Sequence, residues 1–570
     1  MVILQALYKY YDILEDEGTD DLPKEGFSMQ NVSFALIISS NGELKGIMDL
    51  RDSNGKKILP HEMLVPEQKG RSGKNAPSYF LCDNAKYVLG IGDKEGLPAF
   101  NSFKELHNKY LDGNNPLLKF INSFEPSKAF ENEILLKYKN ELVKNPNIVF
   151  KIEGEDGYIH DKEKLLKTWR EDSSKENDEI TMQCLITGKI EPIARTHTPI
   201  KGIRNAQSAG ASIVSFNDDS FCSYGKDSSY NAPISKSAMF KYTTVLNYLL
   251  RNLKNRMFIG EDTVVFWAEK KGIYEDLLAE LLNPTTEKEE TETETSDMDA
   301  RNLAKDILIK YSEGIKLNRE NYNIDPSTTV HILGISPNNA RLAIAFYEEN
   351  SFEYFTSRIA DHYNNLKIIG NEKSIPIWMI LNETVIKNAK DKKISPVLSK
   401  SLMNSIFTGR LYPSSLYNAI ISRIRADRDI NYKRVAIIKA CLIRKYKLSK
   451  IKEDITVSLN ENSSSIPYQL GRLFAVLEKA QLEANGINTI KDRYFTSASA
   501  TPASVFPVLL KLSLHHTAKG DRTIYFEKLK GAILQMVDEF PKHLSLDEQG
   551  EFILGYYHQT QSFYIKKEDK

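Results

Sequence analysis

The sequence has few cysteines, no excess of charge of either sign and no long uncharged apolar run. Its 570 residues include four cysteines and no C-x-x-C pair, which argues against a zinc ribbon or a disulfide framework and favours free thiols in the cytoplasm. Lysine plus arginine and aspartate plus glutamate both number 76, so the net charge alone predicts no polyanionic partner. No window reaches the roughly 18 apolar residues of a membrane span, and we expect no membrane association.

Catalytic motifs are also missing. The sequence contains no H-E-x-x-H, no G-x-S-x-G and no Walker A motif, the patterns that mark zinc proteases, serine hydrolases and P-loop NTPases. The pair His160-Asp161 is compatible with a metal-dependent nuclease, but one pair in a charged loop supplies too few ligands for two metal ions. We therefore predict no catalytic residue, no metal site and no cofactor, and keep a nuclease with an unrecognised metal site as an alternative.

The composition is that of a folded protein with several domains, since 41% of the residues are hydrophobic and 27% are charged. Short apolar runs separated by long polar stretches predict strands, and the residues around Phe240–Leu253 predict a helix. The Asn41-Gly42 pair predicts a hairpin between the first two strands. The predicted strands are Val32–Ile38, Leu44–Leu50, Ile148–Ile152, Gln183–Ile186, Thr263–Trp267 and Thr329–Leu333.

Beyond Ser395 helical patterns follow one another. The predicted helices are Ser395–Phe407, Ser414–Arg425, Lys433–Tyr446, Pro467–Ala484, Pro502–His516, Arg522–Glu539 and Leu546–Tyr564. The fold class is therefore α+β, a mixed N-terminal α/β region with antiparallel sheet and large insertions, followed by a C-terminal all-helical bundle.

The same patterns predict the domain organisation. Residues 284–299 hold seven acidic residues and one lysine without an aromatic ring, which favours a flexible linker or loop, although an exposed helix face is an alternative. The predicted segments are an N-terminal α+β domain (1–283), the acidic linker or loop (284–299), an α+β continuation (300–394), a basic helical segment (395–456) and a C-terminal helical bundle (457–570).

Positive charge concentrates locally. Residues 401–456 hold twelve lysines and arginines against four acids, a density that attracts phosphates, although a solvated face of lysines is the alternative. The candidates here are Arg423, Arg425, Arg434, Lys439 and Arg444.

Two further regions combine basic, amide and aromatic side chains with small residues, as nucleic-acid-binding loops do. For the glycine-rich region around residues 69–75, an ordinary mobile surface loop is an almost equally good interpretation of the same residues. The candidates for DNA binding are Lys69, Arg71, Lys74 and Asn75 in a glycine-rich loop, and Lys201, Arg204, Asn205, Gln207, Tyr224, Lys226 and Asn231 further along the chain. Arginine and lysine would mainly hold phosphates, whereas Asn75, Asn205, Gln207 or Asn231 would read base edges.

Several long motifs carry a resemblance to a known family. They are ARTHTPIKGIRNAQSAGASIVSFN, FCSYGKDSSYNAPISKSAMFKYTTVLNYLL, ILGISPNNARLAIAFY, YQLGRLFAVLEKAQ, DRYFTSASATPASVFP and QGEFILGYYHQTQSFY. In this order they resemble the large subunit of the type I-C (Dvulg subtype) CRISPR Cascade surveillance complex. The resemblance extends from the N-terminal MVILQALYKYYDIL to Tyr564. The acidic stretch near residue 290 and the short tail after Tyr564 show no pattern of this family.

The resemblance implies a non-enzymatic, RNA-guided role in antiviral defence. The large subunit would bind the 5′ handle of the guide RNA, read the protospacer-adjacent motif in double-stranded DNA and open the duplex, while base pairing reads the remaining sequence. Its implied partners are the Cascade backbone and handle-binding subunits and a separate helicase-nuclease that cuts the DNA. A purely architectural scaffold without base readout is a third possibility.

The family resemblance also implies a small subunit translated from an internal start of the same gene. No methionine lies between Met403 and Met536, and our hypothesis is a GUG start at Val457, giving a product of residues 457–570. The alternative is that Val457 is only the end of a linker.

The last predicted helix has its own pattern. Helical spacing predicts that it packs on a stripe formed by Leu470, Phe474 and Leu477. The packing side chains are Phe552, Tyr556, Gln559 and Phe563, whereas Tyr557, His558, Gln561 and Tyr564 would face a neighbouring subunit or the displaced strand.

Overall fold

Strands occupy the first part of the chain and helices the last part, so the predicted α+β class is confirmed. The computed structural model describes residues 3–19, 22–54, 57–68, 77–92, 94–162, 164–167, 169, 180–284, 295–315, 324–371, 373–387, 394–449, 455–486, 489–517 and 523–564. They form two units, Met1–Lys201 with Ser208–Tyr248 and Gly202–Gln207 with Leu249–Lys570. All predicted domain boundaries lie within the second unit and stay predictions.

The strands are β1 (Phe27–Ile38), β2 (Leu44–Asp49), β3 (Asp52–Asn54), β4 (Lys57–Leu59), β5 (His61–Pro66), β6 (Asp83–Asn84), β7 (Asn147–Ile152), β8 (Thr181–Gln183), β9 (Ile190–Pro192), β10 (Arg256–Ile259), β11 (Asp262–Ala268), β12 (Thr329–Asn338) and β13 (Arg341–Ser351). The helices of the first part are α1 (Ile3–Asp16), α2 (Ala85–Leu89), α3 (Gly96–Tyr110), α4 (Pro116–Ser123), α5 (Glu133–Lys137), α6 (Lys139–Leu142), α7 (Lys236–Arg251), α8 (Tyr274–Leu282) and α9 (Thr295–Ser312). The helices of the last part are α10 (Phe352–Leu366), α11 (Ile377–Asn382), α12 (Pro396–Thr408), α13 (Ser414–Asp427), α14 (Tyr432–Ser449), α15 (Ile466–Asn485), α16 (Ile490–Ala500), α17 (Pro502–Thr517), α18 (Thr523–Leu534) and α19 (Leu546–Ser562).

The first unit is built around β1. This strand pairs antiparallel with β5 through its first half and with β2 through its second half, and it pairs in parallel with β7. Its side chains Phe34, Leu36 and Ile38 enter one hydrophobic core together with Phe150. The predicted hairpin is present, and Gly42 has a φ of +88°. An added Cβ there would lie 2.6 Å from Lys119 Cβ, so the turn requires glycine.

The second unit contains a four-stranded antiparallel sheet in the order β10-β11-β12-β13. One hydrophobic core unites Phe266 and Ile332 of this sheet with Ile420 of α13, Phe474 of α15 and Phe552 of α19. The C-terminal helices and the sheet therefore stabilise each other, because they bury one continuous apolar surface.

Two predicted elements need correction. The strand predicted at Gln183–Ile186 ends at Gln183, because the chain turns back there, with the Gly188 amide donating to the Cys184 carbonyl at 2.9 Å. The predicted acidic linker falls largely on residues 285–294, outside the described residues, and its last five residues belong to α9.

All seven helices predicted beyond Ser395 are present, with ends that differ by at most five residues. The helix α16 was not predicted, because its Thr496, Ser497 and Ser499 give no clear apolar period and have low helix propensity. Helix α19 begins with a capping box: the Ser545 amide donates to Glu548 Oε2 at 2.6 Å, and the Glu548 amide donates to Ser545 Oγ at 3.4 Å.

Helices α15 and α19 approach closely through glycine. A Cβ at Gly471 would clash with the carbonyl oxygen of Phe552, and a Cβ at Gly555 would clash with the carbonyl oxygen of Tyr468. The predicted ring packing is present, since Phe474 contacts Phe552 and Tyr556 with ring centroids 6.0 Å apart.

The expectation that Tyr557 and His558 face outward is wrong. The Tyr557 hydroxyl donates to the Ile369 carbonyl at 3.1 Å, and His558 Nδ1 lies 2.9 Å from the Tyr468 hydroxyl. Helix α19 is covered on a further side by α13 and α14, where the Tyr417 hydroxyl donates to the Leu546 carbonyl at 3.1 Å.

Candidate nucleic-acid interface

The glycine-rich loop candidates Lys69, Arg71, Lys74 and Asn75 lie outside the described residues. The segments on either side are firmly attached to the first unit. Gln68 Nε2 donates to the Cys82 carbonyl at 2.9 Å, and the Ser78 hydroxyl donates to the Ser102 carbonyl at 3.0 Å. The positions of the two ends of this loop are therefore fixed by hydrogen bonds.

A buried histidine stabilises the segment after this loop. Leu81 has a φ of +58°, which is costly for a residue with a branched side chain. His107 Nδ1 donates to the Phe103 carbonyl at 2.7 Å, while its Nε2 accepts from the Leu81 amide at 3.0 Å. Burial lowers the pKa of His107 to about 4, so the ring stays neutral and Nε2 keeps its lone pair for Leu81.

We predict that His107→Phe destabilises this segment. Phenylalanine keeps the ring stacked on Phe80 but leaves the Leu81 amide without an acceptor, at a cost of about 1–3 kcal/mol. Hydrogen exchange of the Leu81 amide should accelerate. His61→Phe, at an exposed position, is the control. Unchanged exchange in His107→Phe would contradict the assigned role of the imidazole.

The segment that carries Lys201, Arg204, Asn205 and Gln207 is also attached at defined points. The Lys201 amide donates to Asn247 Oδ1 at 2.8 Å, and the Arg204 amide donates to Thr263 Oγ1 at 3.1 Å. All four candidate side chains are exposed. Asn205 has a φ of +61°, a conformation that asparagine tolerates better than most residues.

The Arg204 guanidinium lies over an aromatic ring. Its carbon is 5.5 Å from the centre of the Phe258 ring, and the guanidinium carbon of Arg256 is 5.3 Å from the same ring. Sequence analysis missed Arg256 and Phe258, since they lie on β10, outside the basic segments. Two guanidinium groups around one ring give a cationic surface of fixed orientation.

Tyr224 and Lys226 are exposed, whereas Asn231 has a structural role. Asn231 Oδ1 accepts from the Ser223 amide at 2.9 Å, and its Nδ2 donates to the carbonyls of Lys226 at 3.0 Å and Ser228 at 2.9 Å. The prediction that Asn231 reads base edges needs correction, because its amide group is occupied by the loop backbone.

The prediction of a basic helical surface also needs correction. Arg434, Lys439 and Arg444 are at most 5% exposed, so their charged groups do not reach a phosphate. Lys439 Nζ donates to the Asn365 carbonyl at 2.8 Å, and Arg444 Nη1 donates to the Ser405 carbonyl at 2.7 Å. Burial lowers the pKa of Lys439 to about 8. The prediction that these three residues bind DNA is therefore wrong.

The other two helical candidates are half-buried. Arg423 pairs with Asp427 over 3.5 Å, and Arg425 donates to Gln549 Oε1. Both guanidinium groups therefore contribute to the packing of α13.

Arg434 connects three parts of the helical region. Its Nε donates to Glu383 Oε2 at 2.9 Å, its Nη2 to Asp427 Oδ2 at 2.6 Å and its Nη1 to the Asp429 carbonyl at 3.1 Å. We predict that Arg434→Met lowers the free energy of unfolding by about 2 kcal/mol, because Glu383 and Asp427 lose their closest cation and keep only the longer contacts with Lys433 and Arg423. Urea denaturation measures this. The exposed Lys447→Met is the control, and equal stability of both variants would contradict the prediction.

The residues of the nuclease alternative have structural contacts. His160 is 3% exposed and its ring stacks on Tyr158, while Asp161 Oδ2 accepts from the Tyr158 amide at 2.6 Å. Within the described part of the chain, no three histidine, cysteine or carboxylate side chains are grouped to hold a metal ion. The described helices include none that is long and apolar enough to cross a membrane.

Similarity to known proteins covers nearly the whole chain. No curated protein matches it. A family model, described as CRISPR-associated protein (Cas_Csd1), matches residues 7–564, from within α1 to just beyond α19. The chain therefore belongs to the CRISPR-associated Cas_Csd1 family.

Proposed function

We propose that this chain is the non-catalytic large subunit of a type I-C Cascade complex, acting in the cytoplasm. It recognises the protospacer-adjacent motif in double-stranded DNA, promotes unwinding and R-loop formation, and helps recruit the helicase-nuclease. The observation that carries the proposal is a set of exposed cationic, amide and aromatic side chains on loops stabilised by specific hydrogen bonds, in a chain of the CRISPR-associated family.

The exposed side chains divide into two roles. Lys201, Arg204 and Lys226 bind phosphates, because their charges remain at the surface. Asn205 and Gln207, together with Asn75, offer amide groups that match the donor and acceptor pattern of a base edge. Lys69, Arg71 and Lys74 add charge on the glycine-rich loop. The chain also contacts the 5′ handle of the guide RNA and the Cascade backbone and handle-binding subunits.

The test is motif-dependent DNA binding by the guide-loaded complex. Duplexes that differ by one base pair in the adjacent motif should differ in binding free energy by about 1–3 kcal/mol. Arg204→Ala should weaken binding to all duplexes, whereas Gln207→Ala should reduce the difference between them. Lys447→Met is the control.

Two outcomes would contradict the proposal. Equal affinity for all motif variants would favour a purely architectural scaffold. Mg²⁺- or Mn²⁺-dependent cleavage by the purified chain, lost in His160→Ala, would favour the nuclease.

The small subunit from the same gene is part of the proposal. Val457 is 46% exposed, and a product of residues 457–570 would contain α15 to α19. It would lose the contacts of α19 with α13 and α14, including the hydrogen bond between Tyr446 and Glu551. This product therefore needs another surface of the complex to cover α19. Intact-mass analysis of the complex should reveal it, and its disappearance after replacement of a GUG codon by GUC would identify the start.

A further inference from the structure

The turn Ser223–Lys226 has an unusual residue at its tip. The Lys226 amide donates to the Ser223 carbonyl at 3.0 Å, and the two central residues, Tyr224 and Gly225, have φ values of +55° and +68°. Positive φ at both central residues is what a type I′ turn requires, and such turns favour asparagine, aspartate or glycine at these positions. A tyrosine at the first of them has a backbone conformation that is costly for a residue with a Cβ.

Side-chain hydrogen bonds stabilise this conformation. Asn231 contacts both ends of the turn, through the Ser223 amide and the Lys226 carbonyl, and also the carbonyl of Ser228, whose φ is +51°. Below the turn Asp227 pairs with Arg195 at 3.0 Å. The turn is therefore held at both ends by side-chain hydrogen bonds, although it is exposed to solvent.

The Tyr224 ring makes no contribution to stability through burial. Tyr224 is 99% exposed, so its ring buries no apolar area, while its backbone is in an unfavourable region. Strain of this kind is typical of functional sites, where the surrounding structure fixes a residue for a ligand. The neighbours Ser223 and Gly225 are small, which leaves both faces of the ring accessible.

The surroundings favour a flat ligand over a phosphate or a protein pocket. Asp218, Asp219 and Asp227 lie in the same loop as Lys226, so the loop as a whole is not cationic, and a phosphate held by Lys226 does not account for the exposed aromatic ring. Protein hot spots lie within a wider apolar patch, whereas the chain neighbours of Tyr224 are Ser223 and Gly225, and Phe221 is the only other large apolar side chain of this loop that is exposed among the described residues. A nucleobase needs only an accessible aromatic face.

We infer that Tyr224 stacks on an unpaired nucleobase, and that Asn231 is the positioning residue that presents the ring. This inference rests on the proposed function and specifies its binding mode. The base belongs either to DNA at the point where the duplex opens or to the guide RNA. The ring occupies the place of the next base in the stack, as aromatic side chains do when they separate base steps.

The experiment is photo-crosslinking with the guide-loaded complex. One probe is a forked DNA duplex carrying 5-iododeoxyuridine at the first unpaired positions, and the other is a guide RNA carrying 5-iodouridine in its handle. Peptide mapping should place the crosslink on Tyr224, and the probe that reacts identifies the source of the base. Affinity for that nucleic acid should fall roughly tenfold in Tyr224→Ala and remain unchanged in Tyr224→Phe.

Two further variants separate stacking from general damage. Asn231→Ala should lower affinity and crosslinking yield while the tyrosine is still present. Tyr525→Ala, which removes another exposed tyrosine, should have no effect. Wild-type affinity and motif dependence in Tyr224→Ala would overturn this inference alone. Loss of a protein subunit from that variant, with nucleic-acid binding unchanged, would also overturn it, whereas a wild-type complex that binds no DNA would overturn the proposed function as well.

Discussion

Gly471→Leu is expected to abolish the packing of α15 on α19 and to unfold the helical part of the second unit. The cost comes from backbone contact: a Cβ at this position meets the carbonyl of Phe552 and the amide of Tyr556. Backbone atoms do not rotate away as a side chain does, so the two helices must separate. Overpacking in cores typically costs 1–3 kcal/mol, and we expect about 4 kcal/mol or more here. Circular dichroism during thermal denaturation measures the loss.

A second glycine of the same helical region is a matched control. Gly531 lies inside α18, and a Cβ there would have no atom within 4 Å. Gly531→Ala should therefore stabilise the protein by roughly 0.5–1 kcal/mol, because alanine loses less backbone entropy in a helix. A Gly471→Leu variant that melts at the wild-type temperature would contradict the close approach of α15 and α19.

Acidification from about pH 7.5 to about pH 5.5 is expected to lower the free energy of unfolding of both units. This pH range lies above the usual pKa values of aspartate and glutamate, so the effect comes from histidines. Burial lowers the pKa of His107 and His197 in the first unit to about 4, and the pKa of His362 and His558 in the second to about 3. His362 is also repelled by Arg444, and His558 by Lys439.

The direction follows from proton binding. In the unfolded chain these histidines have a pKa of about 6.5 and take up a proton below it, whereas in the folded protein they stay neutral until far lower pH. Stability is therefore complete above about pH 6.5 and is lost as the pH falls towards the folded pKa values. At pH 5.5 each histidine has lowered the free energy of unfolding by about 1.4 kcal/mol relative to high pH, which makes a loss of roughly 3 kcal/mol for each unit.

Thermal unfolding at the two pH values tests this expectation. In His558→Gln, which lacks one proton acceptor of the second unit, the difference between the two pH values should shrink by about 1.4 kcal/mol. Equal melting temperatures of the wild-type protein at both pH values would refute neutral burial of these four rings.

Much of the fold can be predicted from the sequence, because the spacing of apolar residues along a strand or helix indicates which face is buried. The apolar run of β1 and the helical spacing of Phe552 and Tyr556 predict the observed packing. The close approach of α15 and α19 cannot be predicted from the sequence. Gly471 and Gly555 have the same local sequence signal as any glycine in a helix, and only their neighbours in space show that a Cβ would not fit.

The candidate site is predicted less well, for a physical reason. A count of charges in residues 401–456 treats every lysine and arginine as exposed, yet Arg434, Lys439 and Arg444 are interleaved with the apolar residues of α14, which is covered on several sides. Asn231 was misassigned because an amide group has the same donors and acceptors for a base as for a backbone turn. Only the three-dimensional surroundings of the amide group distinguish the two uses.

The position of α19 in the common core has a consequence for how the protein is made. This helix leaves the ribosome after every other described helix, yet the surfaces of α13, α14 and α15 pack against it. During elongation the apolar surfaces of α13, α14 and α15 that pack against α19 therefore stay exposed to solvent. They are buried only after residues 546–562 have emerged. Premature termination upstream of residue 546 would leave this surface to chaperones and proteases.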